Sequence, residues 1–236
     1  MRPAASAAHI AELLARWPRD VASARAMQEA LRTRVIARNE FPRRVRLVAG
    51  ADVSFDRGSP LLFAAVVVLD MRTLGVVESA VAVAPAKFPY VPGYLAFREL
   101  PPLLAALAKL RLSPDLVICD AHGRAHPRRF GLASFLGVAL DLPVIGCAKS
   151  LLVGAHAEPA RERGAFTPLR DRGATIGSAL RTRDGVAPVY VSVGHRVSLA
   201  TARRWVLRLT PTHRISDPIR AAHAESNRAR RSAAGV

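Results

Sequence analysis

Two patterns of apolar positions divide the chain. In the first, β-rich runs at 45–55, 61–70 and 75–83 are joined by short turn clusters, which predicts an antiparallel meander. In the second, helical and strand-like runs alternate, which predicts parallel neighbouring strands. These runs are a helix at 93–110, a strand at 115–120, a helix at 131–140 and a strand at 143–147.

Helices are predicted at both ends of the chain. The segment 1–40 is helical, with helices at 9–17 and 21–37 separated at Pro18. Near the other end, a hairpin turns at Asp184 and Gly185, and a helix follows at 199–209. A basic helix begins at Pro218, and we expect residues 226–236 to be a frayed basic tail.

These elements predict an α/β fold. Its core is a mixed five-stranded sheet, an antiparallel meander plus parallel strands, flanked by helices. Because the sequence contains no internal repeat and no low-complexity linker, residues 1–236 are expected to form one domain.

Composition excludes some classes of protein. With 236 residues and 50% hydrophobic content, the chain can bury a large core. Its longest apolar run, 61–69, is too short to cross a bilayer, and Glu12 and Arg16 interrupt the stretch where a signal peptide would be apolar. We therefore expect a soluble, cytoplasmic, monomeric protein with no membrane partner. Cys119 and Cys147 lack metal-ligand or redox spacing and are expected to be reduced core thiols.

The charge of the chain indicates a polyanionic partner. The formal net charge is +17 and the isoelectric point is about 11.5, which favours nucleic acid. A second interpretation is that the arginine excess reflects genome composition, because the chain is rich in alanine and few of its 35 basic residues are lysine. A membrane surface is a weaker alternative, since no helix combines a basic face with a large aromatic one.

Three acidic residues lie in or beside apolar segments, where a charged carboxylate is costly to bury. Asp52 lies in the nearly apolar run VAGADVSF, where a lone charge is costly to bury without a cation. Glu99 flanks the core-facing stripe of its helix, and Asp120 ends the next strand. The three carboxylates could converge at one rim of the sheet and hold divalent cations through their oxygens. Lys149, which ends the following apolar run, would lie at the same rim. For each acid alone, a salt bridge or a helix cap is the other interpretation.

Four segments carry more specific patterns. They are VAGADVSF around Asp52, FPYVPGYLAFRE at 88–99, DAHGRAHPRRFGLAS at 120–134 with PVIGCAKSLLVG after it, and APVYVSVGHRVSL around His195. In these segments the chain resembles the endonuclease V family, the deoxyinosine 3′-endonucleases, whose fold is ribonuclease H-like. The likeness covers most of residues 45–200 in the family's order, and its second and third segments are highly specific.

The resemblance implies a metal centre and a phosphate contact. Asp52, Glu99 and Asp120 match the family's metal-binding carboxylates, and His223 falls where the family places a fourth acidic or histidine group. The implied cofactor is Mg²⁺, with Mn²⁺ as a substitute. Lys149 matches the lysine that approaches the scissile phosphate, and with the three carboxylates it forms the implied catalytic set.

The resemblance also implies contacts with DNA. Tyr90 matches the tyrosine of a strand-separating wedge in a loop that Pro92 stiffens, although the FPY segment could also only staple the start of a helix. The other implied substrate-binding residues are Arg98, His126, Leu152, Ala121 and Gly123. The last two belong to a turn whose backbone amides would read the everted base.

Two positions depart from the family, and one histidine is left open. Ala121 stands where the family usually has glycine, and Phe135 where it usually has histidine. We expect the first to affect base selectivity and the second to remove a DNA contact or a contact around the metal ligands. For His195, hydrogen bonding within the fold and a direct catalytic role remain equally open.

The activity implied is a Mg²⁺-dependent DNA repair endonuclease. It would recognise deoxyinosine and nick the second phosphodiester bond 3′ to the lesion by metal-activated water. Two alternatives remain, an inosine-specific ribonuclease and a non-catalytic basic nucleic-acid-binding module. The presence of all three carboxylates argues against the last, because acids would weaken simple phosphate binding.

Overall fold

A single mixed β-sheet organises the part of the chain that the structure describes. The structure is a computed structural model, and it describes residues 7–40, 44–56 and 58–233. The strands are β1 (Leu47–Phe55), β2 (Leu61–Asp70), β3 (Val76–Pro85), β4 (Leu116–Cys119), β5 (Val144–Ala148), β6 (Phe166–Asp171), β7 (Ala174–Leu180) and β8 (Val189–His195). The helices are α1 (Ala7–Ala15), α2 (Val21–Leu31), α3 (Leu95–Leu107), α4 (Leu132–Leu140), α5 (Leu199–Arg208) and α6 (Asp217–Ala233), with a 3₁₀ turn at Arg32–Arg34.

The predicted mixed sheet is confirmed, and its strand number is corrected. Strands β1, β2 and β3 pair as an antiparallel meander, and β1, β4 and β5 are parallel. The sheet of the described residues, however, has eight strands rather than five, in the order β3-β2-β1-β4-β5-β8-β7-β6. The predicted hairpin supplies β7 and β8, and β8 pairs antiparallel with β5. Strand β6 was missed because only one of its six residues is buried and one is Pro168, so it lacks a buried apolar run.

The core has a layer on each face of this sheet. Along β4, the side chains of Leu116 and Ile118 face one layer and those of Val117 and Cys119 face the other, as the two-residue period of a strand requires. Helices α3 and α4 cover the second layer, and α5 and the start of α6 cover the first. Both cysteines are free and buried, which agrees with their prediction as core thiols.

Helix α3 shows how a sequence irregularity is accommodated. Pro101 lies inside the helix and has no N–H to donate to the carbonyl of Phe97 four residues earlier. The indole N–H of Trp17 donates to that carbonyl instead, at 2.9 Å. The N-terminal segment is thereby fixed to α3.

Both ends of the chain differ from their predictions. Helix α2 ends at Leu31 and gives way to the 3₁₀ turn and extended backbone, so it does not reach residue 37. Helix α6 continues to Ala233, so the predicted frayed tail is mostly helical. Hydrogen bonds attach this part of α6 to β1 and the residue after it, because Ser226 donates to Asp52 and Arg230 donates to Asp56. Residues 1–6 and 234–236 of these predictions lie outside the described residues. No helix in the described part is both long and apolar enough to span a membrane.

Candidate active site

Two of the predicted acids follow directly from the sheet register. Ala51 of β1 and Cys119 of β4 are paired on neighbouring parallel strands. Asp52 and Asp120 each come one residue later, and the Asp120 N–H donates to the carbonyl of Ala51 at 3.1 Å. Both carboxylates are nearly enclosed, with 8% and 10% of their side-chain surfaces exposed. The strand ends therefore hold two acids side by side.

A glycine allows α6 to complete this site. A Cβ at Gly50 would lie 1.9 Å from the carbonyl oxygen of Pro218, so only glycine permits the start of α6 to rest on β1. The helix then places His223 Nδ1 3.0 Å from Asp52 Oδ2. The hydroxyl of Ser226 donates to the same oxygen at 2.9 Å. Sequence reasoning missed Ser226, whose sole signal is its three-residue spacing from His223 on one helix face.

The third acid, Glu99, is held in an unfavourable environment for a charge. It lies on α3, is half-buried, and faces the other two acids. Its pKa is raised to about 8, mainly by burial and also by the carboxylates of Asp52 and Asp120, while the neighbouring Arg98 opposes them. The three acids therefore form an electrostatically coupled group.

The positively charged side chain of a lysine lies beside these three acids. Strand β5 ends at Ala148, and the Lys149 ammonium that follows lies 2.5 Å from Asp120 Oδ2. Burial raises the pKa of Asp120, and the ion pair with Lys149 works against that effect. The sequence prediction that an acid and a lysine share the rim of the sheet is confirmed in position.

These side chains line one cleft of about 700 Å³, which we call the acidic cleft. It contains all five predicted metal and catalytic residues and five of the predicted substrate-binding residues. They are Asp52, Glu99, Asp120, Lys149 and His223, with Tyr90, Pro92, Ala121, His126 and Leu152. Leu151 and Leu152 also line the cleft and expose 43% and 41% of their surfaces, so its lining includes accessible apolar surface.

Two predicted residues lie outside this lining. The Arg98 guanidinium lies 5.3 Å from the ring of Phe55 and within 3.5 Å of the Phe88 carbonyl, behind the wedge loop. Gly123 is buried, and its N–H donates to the hydroxyl of Ser192 at 2.9 Å. A Cβ there would lie 2.1 Å from the carbonyl of Val193, so the glycine serves backbone packing and its amide is already engaged.

The proposed wedge loop is anchored at both ends. Phe88 is buried against Phe97 of α3 at 5.5 Å between ring centroids, whereas Tyr90 is 59% exposed. At the far end, Gly93 adopts φ +80°, and its carbonyl accepts from His126 Nε2 at 2.9 Å and from Arg128 at 2.6 Å. Burial lowers the pKa of His126 to about 4, so it is neutral in this contact at neutral pH. Phe88 thus staples the loop to the helix, and Tyr90 remains free to contact a ligand.

Comparison with known proteins decides the family. The family model described as Endonuclease V matches residues 29–224. The chain belongs to the endonuclease V family. Members of this family are nucleases that depend on metal ions in general.

Relatives and solved structures of endonuclease V match most of the chain. The protein from Roseiflexus sp. (strain RS-1) is 55% identical over 214 residues, or 91% of this chain and 95% of that protein. The crystal structure of endonuclease V from Streptomyces avermitilis has a TM-score of 0.87 and 48% identity, covering 92% of this chain and 96% of that one. The Ciona intestinalis protein, solved in complex with a 24mer DNA containing an inosine followed by a ribo-adenosine, has a TM-score of 0.79 and 28% identity. It covers 90% of this chain and 98% of that one. The ribonuclease H-like nuclease fold is thereby established.

The two departures from the endonuclease V pattern have different surroundings. Phe135 is fully buried, with its ring centroid 5.3 Å from Trp17, 5.5 Å from Phe97 and 5.1 Å from Phe130. It is a core residue of this endonuclease V and does not line the acidic cleft. Ala121 does line the cleft, and its N–H donates to the carbonyl of Cys119 at 2.8 Å.

Two of the histidines outside the predicted metal set, His195 and His122, have structural contacts. His195 is buried, accepts a hydrogen bond from the Ile36 N–H at 3.2 Å and lies 3.3 Å from Asp141. It is not part of the acidic cleft. His122, which sequence reasoning passed over, does line the cleft and bonds the carbonyl of Ser150 at 3.0 Å. Burial lowers the pKa of His122 to about 4.

The donor chemistry of the cleft fits a hard divalent cation. Its acids offer carboxylate oxygens, and burial, followed by the neighbouring carboxylates, raises the pKa values of Glu99 and Asp120, an effect that a bound cation would oppose. Within the described ranges, however, no three His, Cys, Asp or Glu side chains are oriented to hold one metal ion together. Asp120 faces Lys149, and Asp52 faces His223 and Ser226. Metal binding would therefore require side-chain rotation.

Proposed function

We propose that this endonuclease V recognises deoxyinosine in DNA and nicks the second phosphodiester bond 3′ to it, leaving 3′-hydroxyl and 5′-phosphate ends. The observation that carries the proposal is a single cleft whose lining combines three carboxylates and Lys149 with the exposed side chains of Tyr90 and Leu152. Phosphodiester chemistry and base recognition both have side chains suited to them there. The inosine-containing DNA bound by the Ciona relative supports the choice of base.

The acids are proposed to form the cofactor site. Asp52, Glu99 and Asp120 would hold Mg²⁺, or Mn²⁺ in its place, with His223 beside Asp52. When bound, the ion would neutralise charge on the phosphate oxygens and lower the pKa of a bound water. The Ser226 hydroxyl fixes one oxygen of Asp52 before any ion arrives.

The charge around the proposed metal site depends on Lys149 and on the protonation of Glu99. The ammonium of Lys149 is half-exposed, so it can leave Asp120 and approach a phosphate oxygen of a bound strand. Glu99 carries a proton at neutral pH, because its pKa is raised to about 8. That proton must be lost before the carboxylate can act as a ligand.

Tyr90 and the leucines at 151 and 152 are proposed to separate the strands and hold the lesion. Tyr90 projects from a loop that Phe88 anchors, which suits insertion between base pairs. The exposed leucines at 151 and 152 offer an apolar floor for an everted base. Ala121 also lines the cleft, so we propose that its methyl group affects which bases are accepted.

Cleavage of inosine-containing RNA is the second candidate. The DNA in the Ciona complex carries a ribo-adenosine after the inosine, so a ribonucleotide is accommodated next to the lesion in that relative. The same acids and lysine would serve either strand, and the choice depends on contacts with the 2′-hydroxyl.

An oligonucleotide cleavage assay tests the proposal. End-labelled duplexes with one deoxyinosine, matched inosine RNA and unmodified controls are incubated with and without Mg²⁺, and the cut is mapped. We expect one cut at the second bond 3′ to deoxyinosine, only with Mg²⁺. Asp120→Asn should abolish it and retain salt-dependent binding, while Asp184→Asn, at an exposed turn, should cut normally. Equal cutting of unmodified DNA would contradict the lesion specificity, and binding without cutting by the unaltered protein would indicate a binding module.

A further inference from the structure

A second large cleft lies at the opposite end of the sheet. Its volume is about 890 Å³, and we call it the arginine cleft. Its charged and aromatic lining consists of Arg44, Arg46, Arg72, Arg204, Arg208 and Trp205, with Asp70 as the one acid. Arg46 precedes β1, whereas Asp52 lies six residues further along that strand. At about 3.3 Å per residue the two clefts are therefore roughly 20 Å apart.

The arginines of this cleft are not used by the fold as ion pairs. Within the described ranges, none of their guanidinium groups forms a salt bridge with a carboxylate. The Asp70 carboxylate is engaged elsewhere, because it accepts the backbone N–H groups of Arg72 and Thr73 at 2.8 and 3.2 Å. Those contacts, and to a smaller extent the charges of Arg72 and Arg46, hold the pKa of Asp70 below its ordinary value, so this one acid offsets only part of the charge of the five arginines. The cleft therefore keeps a large positive charge.

An aromatic side chain lies among these cations. Trp205 is half-buried on α5, and the guanidinium of Arg208 lies 5.1 Å from its ring centroid. Arg204 lies next to it in sequence and bonds the hydroxyl of Thr201 at 3.0 Å. Planar guanidinium groups match phosphate oxygens, and an indole offers a surface on which a base can stack. A base can reach an indole in this way only when it is unpaired, so the combination favours one strand over a duplex.

We infer that the arginine cleft is a second nucleic-acid site, which binds a single strand through its phosphates and at least one base. It is separate from the acidic cleft and goes beyond the proposed function, since it requires neither metal nor inosine. A strand held there would keep the enzyme on nucleic acid while the acidic cleft is empty or has released its product.

A local fluorescence signal tests the inference. The chain has two tryptophans, so Trp17→Phe leaves Trp205 as the only one. An oligothymidylate of roughly ten nucleotides, added without divalent metal, should quench Trp205 emission and bind more weakly with rising salt. Arg204→Gln combined with Arg208→Gln in that background should weaken binding about tenfold and reduce the salt slope by about 1.4, at about 0.7 for each phosphate contact.

Matched controls separate this site from general charge effects. Arg19→Gln with Arg183→Gln removes the same charge from exposed positions outside both clefts and should leave Trp205 quenching unchanged. Equal effects of the two double variants, or no quenching at all, would overturn the inference. Thymidine monophosphate binding as tightly as the oligonucleotide would also overturn it, because a nucleotide site would then replace a strand site.

The same variants are then assayed on a short deoxyinosine oligonucleotide under single-turnover conditions. Cleavage at the rate of the Trp17→Phe protein is expected, because Arg204 and Arg208 lie outside the acidic cleft. An equal fall in cleavage and in Trp205 quenching would mean one shared binding surface and would overturn a separate site. Absence of cleavage by the unaltered protein would contradict the proposed function alone, since the quenching result does not depend on it.

Discussion

Lys149 Nζ lies 2.5 Å from Asp120 Oδ2, at the carboxyl ends of the neighbouring parallel strands β5 and β4. The ammonium therefore occupies one oxygen of a carboxylate that the proposed Mg²⁺ site needs. Lys149→Ala should lower the single-turnover rate of deoxyinosine cleavage about 10²- to 10³-fold, since a charge on the phosphate is lost. It should also lower the Mg²⁺ concentration needed for half-maximal rate, because Asp120 is released.

The matched control for this prediction is Lys109→Ala. Lys109 bonds the carbonyl of Val81 at 2.7 Å, away from the acidic cleft. Its replacement should leave both the rate and the Mg²⁺ dependence unchanged. A Lys149→Ala enzyme that cuts at the original rate would remove the phosphate role.

Tyr90→Ala should affect paired substrates most. The side chain is 59% exposed at the mouth of the cleft, so its loss removes a surface for stacking and leaves the fold intact. We expect about tenfold weaker cleavage of deoxyinosine in a duplex and a much smaller effect on single-stranded deoxyinosine, which needs no separation. Leu112→Ala, at an exposed apolar residue outside the cleft, is the control. Equal losses on both substrates would contradict the wedge role.

The raised pKa of Glu99 predicts that the stability of the folded protein depends on pH. Its pKa in the folded protein is about 8, above its ordinary value of 4.5, so between these values the folded state binds more protons than the unfolded state. The metal-free protein should therefore lose stability as the pH rises from about 5 to about 8. Urea unfolding across this range checks the sign. Glu99→Gln should flatten the dependence, and Mg²⁺ should oppose it.

Glu78→Gln is the control for that measurement. Its carboxylate accepts the backbone N–H groups of Arg111 and Leu112, which lower the pKa of Glu78. Its contribution is therefore complete at higher pH and is lost as the pH falls through its lowered pKa. An unchanged pH dependence in Glu99→Gln would show that other groups cause it.

His195 is predicted to stabilise the fold and to have no role in the chemistry. Replacing it by alanine leaves the Ile36 N–H without its acceptor and opens a gap beside Asp141, at a cost of roughly 2–3 kcal/mol. Chemical denaturation should show this loss, while the cleavage rate of the folded enzyme stays unchanged. His156→Ala, at a less buried histidine, should cost much less. A large fall in rate without loss of stability would support a catalytic role instead.

The sequence was most informative where structure is local. Strand β2 matches its predicted bounds, and β1, β3, β4 and β5 lie within two residues of theirs, because each is a largely apolar run ended by turn residues. The eight-strand sheet was not predictable in the same way. Pairing of Ile145 with Val193 joins segments far apart in sequence, and a buried strand carries no mark of its neighbour.

In the candidate site, too, the features set by a single strand were predictable and those set by long-range packing were not. Asp52, Asp120 and Lys149 could be placed at the rim because strand ends share an edge. Ser226 could not, because its contact with Asp52 depends on how α6 lies across β1. Gly123 matches a family position, yet its amide is engaged by Ser192 on β8, a strand outside the predicted sheet. The catalytic and metal-binding roles of the cleft residues remain predictions that the variants above test.

The close approach at Gly50 has a consequence for how the enzyme is made. Pro218 rests against that glycine, and the helix it begins brings His223 and Ser226 to Asp52. Synthesis proceeds from the amino end, so the ribosome adds these partners of Asp52 only after every strand of the sheet. A partly synthesised chain therefore has an incomplete site until α6 has been added.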